Sequence, residues 1–264
     1  LEIYRRSHDE RRLAYGLTRA GHWAFAGGDG EQGVALLQEG LARCESSGFE
    51  DGKAWPIVLL AQARRWAGDE SAEVAEMFLD ARRRFIEIGE SYGQIHADML
   101  LTACYDFPPE ERQRFAQEMV ELSNRPGGEN LMRPIALHCL AYPVWDLGDH
   151  ERATGLNRAA IRSSEATGAT MDLGLALIQA ATFAGDDDPE RAVTLAAAGL
   201  AHFGMEMAPF QRRLLDPVLD RARSRLGDDR YRELFRIGNA MSPAEAAARS
   251  VRSARSPVRE SMSP

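Results

Sequence analysis

Glycine recurs along this chain with a period of about 40 residues, the spacing expected of repeat architectures. Gly-Asp steps stand at Gly28-Asp29, Gly68-Asp69, Gly148-Asp149, Gly185-Asp186 and Gly227-Asp228, with Tyr105-Asp106 near the middle of the double-length gap. A second set, Gly48, Gly89, Gly127, Gly168 and Gly204, runs half a period out of phase. Apolar residues at helical spacing fill the intervals, and no stretch has the two-residue alternation of a strand. The chain therefore reads as a row of helix–turn–helix hairpins. One such hairpin cannot bury its apolar face alone, so neighbours must stack. The expected fold is all-α: a right-handed α-solenoid of antiparallel hairpins, about six of them.

First helices of each hairpin, here called A, are expected near 9–26, 53–67, 92–104, 130–146, 170–184 and 208–226. Second helices, called B, are expected near 31–46, 71–88, 109–123, 150–166, 189–203 and 228–240. Asp188-Pro189-Glu190 and Pro108-Pro109-Glu110 open helices, because Asp accepts from free N–H groups and Pro fits the first turn. Gly48, Gly89, Gly168 and Gly204 follow the last apolar residue, where a left-handed backbone closes a helix. The turn-rich connector Ser123 to Asn130 is the candidate hinge, and Pro143 should kink its helix. Residues 1–248 form the array and 249–264, rich in Ser, Arg and Pro, form a disordered tail. Leu1-Glu-Ile-Tyr4 lies one period before Leu41-Ala-Arg-Cys44, so Leu1 to Arg6 reads as the end of a B helix and the chain as a piece of a longer protein.

Composition removes several function classes. Net charge is −8 over 264 residues, which opposes a nucleic-acid footprint. Three cysteines, Cys44, Cys104 and Cys139, make no C-x-x-C pair and suit a reducing compartment. No apolar run is long enough to span a bilayer and no signal peptide is present, so a cytoplasmic location is expected and membrane contact is not. Gly28-Asp29-Gly30-Glu31-Gln32-Gly33 matches G-x-G-x-x-G in form only, since a helix rather than a strand precedes it and two acids would face the phosphates. The six histidines have no metal-ligand spacing, and His138 and Cys139 point away from each other on a helix. No nucleophile–base pair is visible, and the carboxylates are spread over surface faces. We expect no enzyme, no metal and no cofactor.

Stacking geometry selects a candidate binding face. Each hairpin buries its B helix against the next pair, so the A helices line the inner curve. Residues 13, 10, 6 and 3 before each turn glycine lie on the A-helix side opposite the B helix. The candidates taken from this face are Tyr15 and His22, Gln62 and Arg65, Tyr142 and Trp145, and Gln179. His22, Gln62 and Gln179 share one slot in three hairpins. Core packing rarely selects such residues, because a buried polar group without a partner costs about 1–3 kcal/mol. The alternative is that some rings of this face, Trp55 and Trp145 especially, are core between repeats.

The Gly-Asp turn sits where tetratricopeptide-type repeats place theirs. Leu17, Ala20, Gly21 and Ala24 before Gly28, Leu137, Leu140, Ala141 and Val144 before Gly148, and Gly174, Leu177, Ile178 and Ala181 before Gly185 match the small or apolar core positions of those repeats. Arg64 departs from them, and the third hairpin has no clear register. The run from Pro189 to Ala198, Leu215 to Leu226, Tyr231, Leu234-Phe235, Gly238 and Met241-Ser-Pro-Ala-Glu-Ala246 resembles the closing segment of helical repeat regions in large bacterial signalling proteins, the LuxR-type and related ATPase regulators. The resemblance covers residues 1–248. It implies a non-enzymatic protein-interaction or effector-sensing module of a multidomain transcriptional or signalling regulator. Its concave groove would take a protein or peptide partner or a small effector, and neighbouring ATPase and output domains would lie on the same polypeptide. The rival readings are a structural spacer, a dimerisation scaffold forming a homodimer, or an enzyme with a site in the groove.

Overall fold

Asp9 and Asp29 each do the same local job, accepting a hydrogen bond from the backbone N–H three residues on at 3.1 Å and so starting a helix. Asp188 repeats the device with Arg191 at 3.1 Å, and Pro109 and Pro189 occupy first-turn positions. The computed structural model describes residues 9–125 and 130–251, and these are all-α, with no strand among them. The helices are α1 Glu10–Ala26, α2 Gly30–Ser46, α3 Ala54–Trp66, α4 Ala72–Ile88, α5 Ser91–Thr102, α6 Pro109–Ser123 and α7 Arg133–Asp146. They continue as α8 His150–Thr167, α9 Thr170–Ala184, α10 Pro189–Phe203, α11 Pro209–Leu226, α12 Asp228–Asn239 and α13 Pro243–Val251. Short 3-10 turns precede α3 at Glu50–Gly52 and α7 at Asn130–Met132. The turn glycines at 28, 48, 68, 89, 148, 168, 185, 204 and 227 all have positive φ.

The helices pack into two compact units. Unit 1 is Leu1–Asp149 with Ala208–Phe210, and unit 2 is His150–Met207 with Gln211–Pro264. In unit 1 each helix packs on the next, and each A helix also touches the A helix that follows: α1 on α3, α3 on α5, α5 on α7. The core runs between the rows through Leu37, Val58, Phe78, Phe85, Leu101 and Phe115, all buried. Burying a Phe or Leu side chain contributes roughly 1.5–3 kcal/mol, so this column holds the hairpins together.

Unit 2 departs from simple stacking. Helix α10 packs on both α9 and α12, and the last helix, α13, returns to touch α8, α9 and α10. Val193, Ala222 and Leu234 form a second small core from α10, α11 and α12. The expected array is thus divided inside its fourth hairpin, at the Asp149–His150 step, and this boundary lies beyond the turn-rich connector expected to bend. Residues 126–129 of that connector lie outside the described residues, as does the segment Leu1 to Arg6 read as a helix end.

Two further expectations need correction or refinement. The tail does not begin at residue 249, because α13 extends to Val251 and Ser250 is buried there, its hydroxyl donating to the Ala247 carbonyl at 2.6 Å. The rest of the expected tail, from residue 252, lies outside the described residues. At Pro143, α7 continues to Asp146 although proline has no N–H to give to the preceding turn.

Ser250 also offers its carbonyl to the Arg191 guanidinium on α10. Hydrogen bonds to charged groups contribute about 1.5–3 kcal/mol. A chain ended at Ala248 should therefore melt several degrees below one ended at Val251, measured by circular dichroism; equal melting would show that the last turn of α13 adds nothing.

Candidate functional site

The A-helix row of unit 1 carries an aromatic cluster built from the first and last turns of successive helices. The 3-10 turn Glu50–Gly52 launches α3 so that Trp55 lies in its first turn. Phe85, in the last turn of α4, meets Trp55 edge-on with ring centroids 5.0 Å apart. Helix α5 then begins beside them. Tyr92 lies 5.7 Å from Trp55, and His96, one turn later, lies 5.6 Å from it. Trp55, Tyr92 and His96 thus form one aromatic patch, backed by the wholly buried Phe85. Such contacts are worth about 0.5–1.5 kcal/mol beyond area burial, enough to fix the Trp55 ring.

Gln62 belongs to this patch. Its Oε1 lies 2.9 Å from His96 Nε2. Burial pushes His96 down to about 4, and the nearby His22 adds to the shift, so the ring is neutral at pH 7. We assign the Nε2 proton as the donor and Gln62 Oε1 as the acceptor. Gln62 therefore supports His96 rather than standing free in a groove. His22 is half-buried on α1 and is also held below its ordinary value, first by burial and then by the Arg19 charge.

Along α1 the surface opens at both ends of the helix. Tyr15 is 55% exposed and Trp23 is 67% exposed. The Arg19 guanidinium stands 5.9 Å over the Tyr15 ring and the Arg11 guanidinium 5.3 Å over the Phe49 ring. Arg11, Arg12, Tyr15 and Phe49 line a shallow depression. At the other end of the row, Tyr142 and Trp145 are half-buried on α7. Tyr142 sits edge-on to His138 at 5.4 Å, and burial pushes His138 down to about 4.

Two candidates are not surface residues. Arg65 is only 5% exposed; its guanidinium donates to the Ala103 carbonyl at 3.0 Å and lies 3.7 Å from Glu70. A cation set against the carbonyl end of α5 is a structural tie, favoured by the helix dipole. Gln179 has no exposed surface and belongs to unit 2, where Asn157 Nδ2 donates to its Oε1 at 3.0 Å and to the Ala176 carbonyl at 2.7 Å. Gln179 Oε1 is not orphaned, because Asn157 supplies a partner that sequence position alone did not disclose.

Tyr92 and His96 were not among the residues expected on this face. The turn after α5, at Ala103 to Pro108, contains no glycine, so the third hairpin lacked an origin from which to count. The i, i+4 spacing of Tyr92 and His96, which sets both rings on one side of the helix, was the available signal. The carboxylates were expected on surface faces, yet Asp98 has no exposed surface. Its Oδ1 receives Arg82 Nε from α4 at 2.5 Å, its Oδ2 is buried without a hydrogen bond, and the other end of the Arg82 fork pairs with Glu118 from α6. Gln94 donates to the same Glu118 at 3.3 Å.

The Gly28 to Gly33 run joins the turn after α1 to the first turn of α2, with Asp29 capping α2, so a helix stands where a dinucleotide loop needs a strand. Among the described residues no three His, Cys, Asp or Glu side chains are grouped to hold a metal ion, and no helix is long and apolar enough to cross a membrane. Compared with known proteins, the chain matches no family model and no curated sequence.

Proposed function

We propose that this chain is a cytoplasmic, tetratricopeptide-like interaction and effector-sensing module of a multidomain bacterial transcriptional or signalling regulator of the LuxR or ATPase type. In this reading it carries out no chemistry itself, and unit 1 takes its partner on the inner row of A helices. One observation carries the reading: Tyr15, Trp55, Tyr92 and His96 lie along that row, with Tyr15 and Tyr92 exposed at its surface and Trp55 braced by Phe85. Rigid aromatic side chains with few polar groups are what binding hot spots are made of. The two histidines whose values fall to about 4, His96 and His138, are held neutral by burial, which suits packing better than proton transfer.

The test places a photo-crosslinking residue in the full-length protein in cells. Positions Tyr15 and Tyr92 sample the inner row; Glu76 and Glu87, exposed on α4, sample the outer side. A discrete adduct from Tyr15 and Tyr92, absent from Glu76 and Glu87, is the expected result. Adducts from neither pair, or equally from both, would refute the reading. An adduct with a second copy of the chain would favour the dimerisation scaffold.

A further inference from the structure

Charge is sorted between the two helix rows of unit 1. The A helices α1, α3, α5 and α7 carry six arginines, Arg11, Arg12, Arg19, Arg64, Arg65 and Arg133, against three acids, Glu10, Asp98 and Asp146. The B helices α2, α4 and α6 carry six arginines against eleven acids. The A row is therefore net positive in a chain whose net charge is −8.

The three A-row acids are all neutralised by arginines from the B row. Arg43 pairs with Glu10 at 3.0 Å, Arg82 with Asp98 at 2.5 Å, and Arg112 with Asp146 at 2.7 Å. By contrast Arg11 and Arg19 are exposed, and among the described residues neither has a carboxylate within ion-pair distance. Both instead lie over aromatic rings beside the exposed Tyr15, a position in which a guanidinium can still meet an incoming carboxylate. The face thus has aromatic anchors, unpaired cations and no unpaired A-helix carboxylate.

We infer that the partner taken by this row is an acidic peptide segment carrying an apolar or aromatic side chain, an inference that rests on the binding role proposed above. The acids meet Arg11 and Arg19; the apolar side chain packs on Tyr15, Trp55 and Tyr92. A nucleic acid is the poorer match. The two unpaired cations would neutralise few phosphates, and the eleven acids of the B row repel the remainder.

The test uses the whole chain and fluorescein-labelled peptides on one frame, with Leu and Phe at fixed positions and Glu, Gln or Lys at all others. Fluorescence anisotropy should rank them Glu, then Gln, then Lys, with about a tenfold gap between the extremes at low salt that narrows as salt rises. The Arg11→Glu/Arg19→Glu variant should lose the preference for the Glu peptide or reverse it. Both sites are exposed, so the fold should survive, and Arg11→Gln/Arg19→Gln repeats the test without new charge.

Equal binding of all three peptides, abolished by Tyr92→Ala, would overturn the acidic partner while leaving the binding role intact. Tighter binding of a single-stranded oligothymidylate than of the Glu peptide would overturn it in favour of a nucleic acid. No binding by any probe below about 1 mM would overturn both readings.

Discussion

Arg82→Ala should destabilise unit 1 by about 3–5 kcal/mol at pH 8, the cost of leaving a buried carboxylate without its cation. Asp98 is the group at stake. Burial pushes its carboxyl up to about 7, Arg82 from α4 works against that rise, and Glu118 from α6 adds to it. The folded state therefore holds a proton on Asp98 that the unfolded chain has released. The resulting stabilisation is full below about 4, the ordinary Asp range, and is lost as pH rises through about 7. At pH 5 the carboxyl is mostly neutral, so Arg82→Ala should cost clearly less than at pH 8. Urea titrations of the variant at both values test this, and equal losses would refute it. Asp98→Asn should flatten the decline in stability between pH 5 and pH 8, and an unchanged slope in that variant would assign it to another group.

Gly174→Ala is expected to cost unit 2 about 3 kcal/mol, the upper part of the range for overpacking. A Cβ at Gly174 would lie 2.7 Å from the Gly199 carbonyl oxygen and 2.8 Å from Phe203 Cα. Both are backbone atoms, so no rotamer change can relieve the clash and α9 must move away from α10. The contact is reciprocal, since a Cβ at Gly199 would lie 2.8 Å from the Gly174 carbonyl oxygen. Gly155 is the internal control. It is exposed in α8, a Cβ there meets nothing within 4 Å, and Gly155→Ala should stabilise by up to about 1 kcal/mol. A melting temperature for Gly174→Ala equal to that of the parent chain would mean that the helices are less closely packed than described.

What was legible from sequence was whatever depends on local rules. Glycines with positive φ, proline in first turns and Asp caps place helix ends, and α6, α9 and α10 fall on the expected residues. Gly174, counted back from Gly185, lies in the core as expected. Helix α13 was not anticipated, because it is only 9 residues long, too short for its pattern to stand out in sequence, and is held by contacts with α8, α9 and α10. The candidate site was harder to read for a related reason. Counting positions reveals which side of a helix a residue occupies, but not what faces it. Arg65 and Gln179 lie on the counted side, yet Ala103 and Asn157 come from other segments and turn both into buried ties. Tyr92 and His96 were obscured because their hairpin has no turn glycine.

The return of α13 onto α8, α9 and α10 has a kinetic meaning. In unit 1 contacts pass mainly from each helix to the next or the next but one, so hairpins can open from one end without disturbing the other, and folding can start at several places. In unit 2 α13 completes the packing of α8, which ties the unit into a single closing event with a longer loop to bridge. Native-state hydrogen exchange should show graded opening along α1 to α7. In α8 to α13 the slowest amides of first and last helices should be released together.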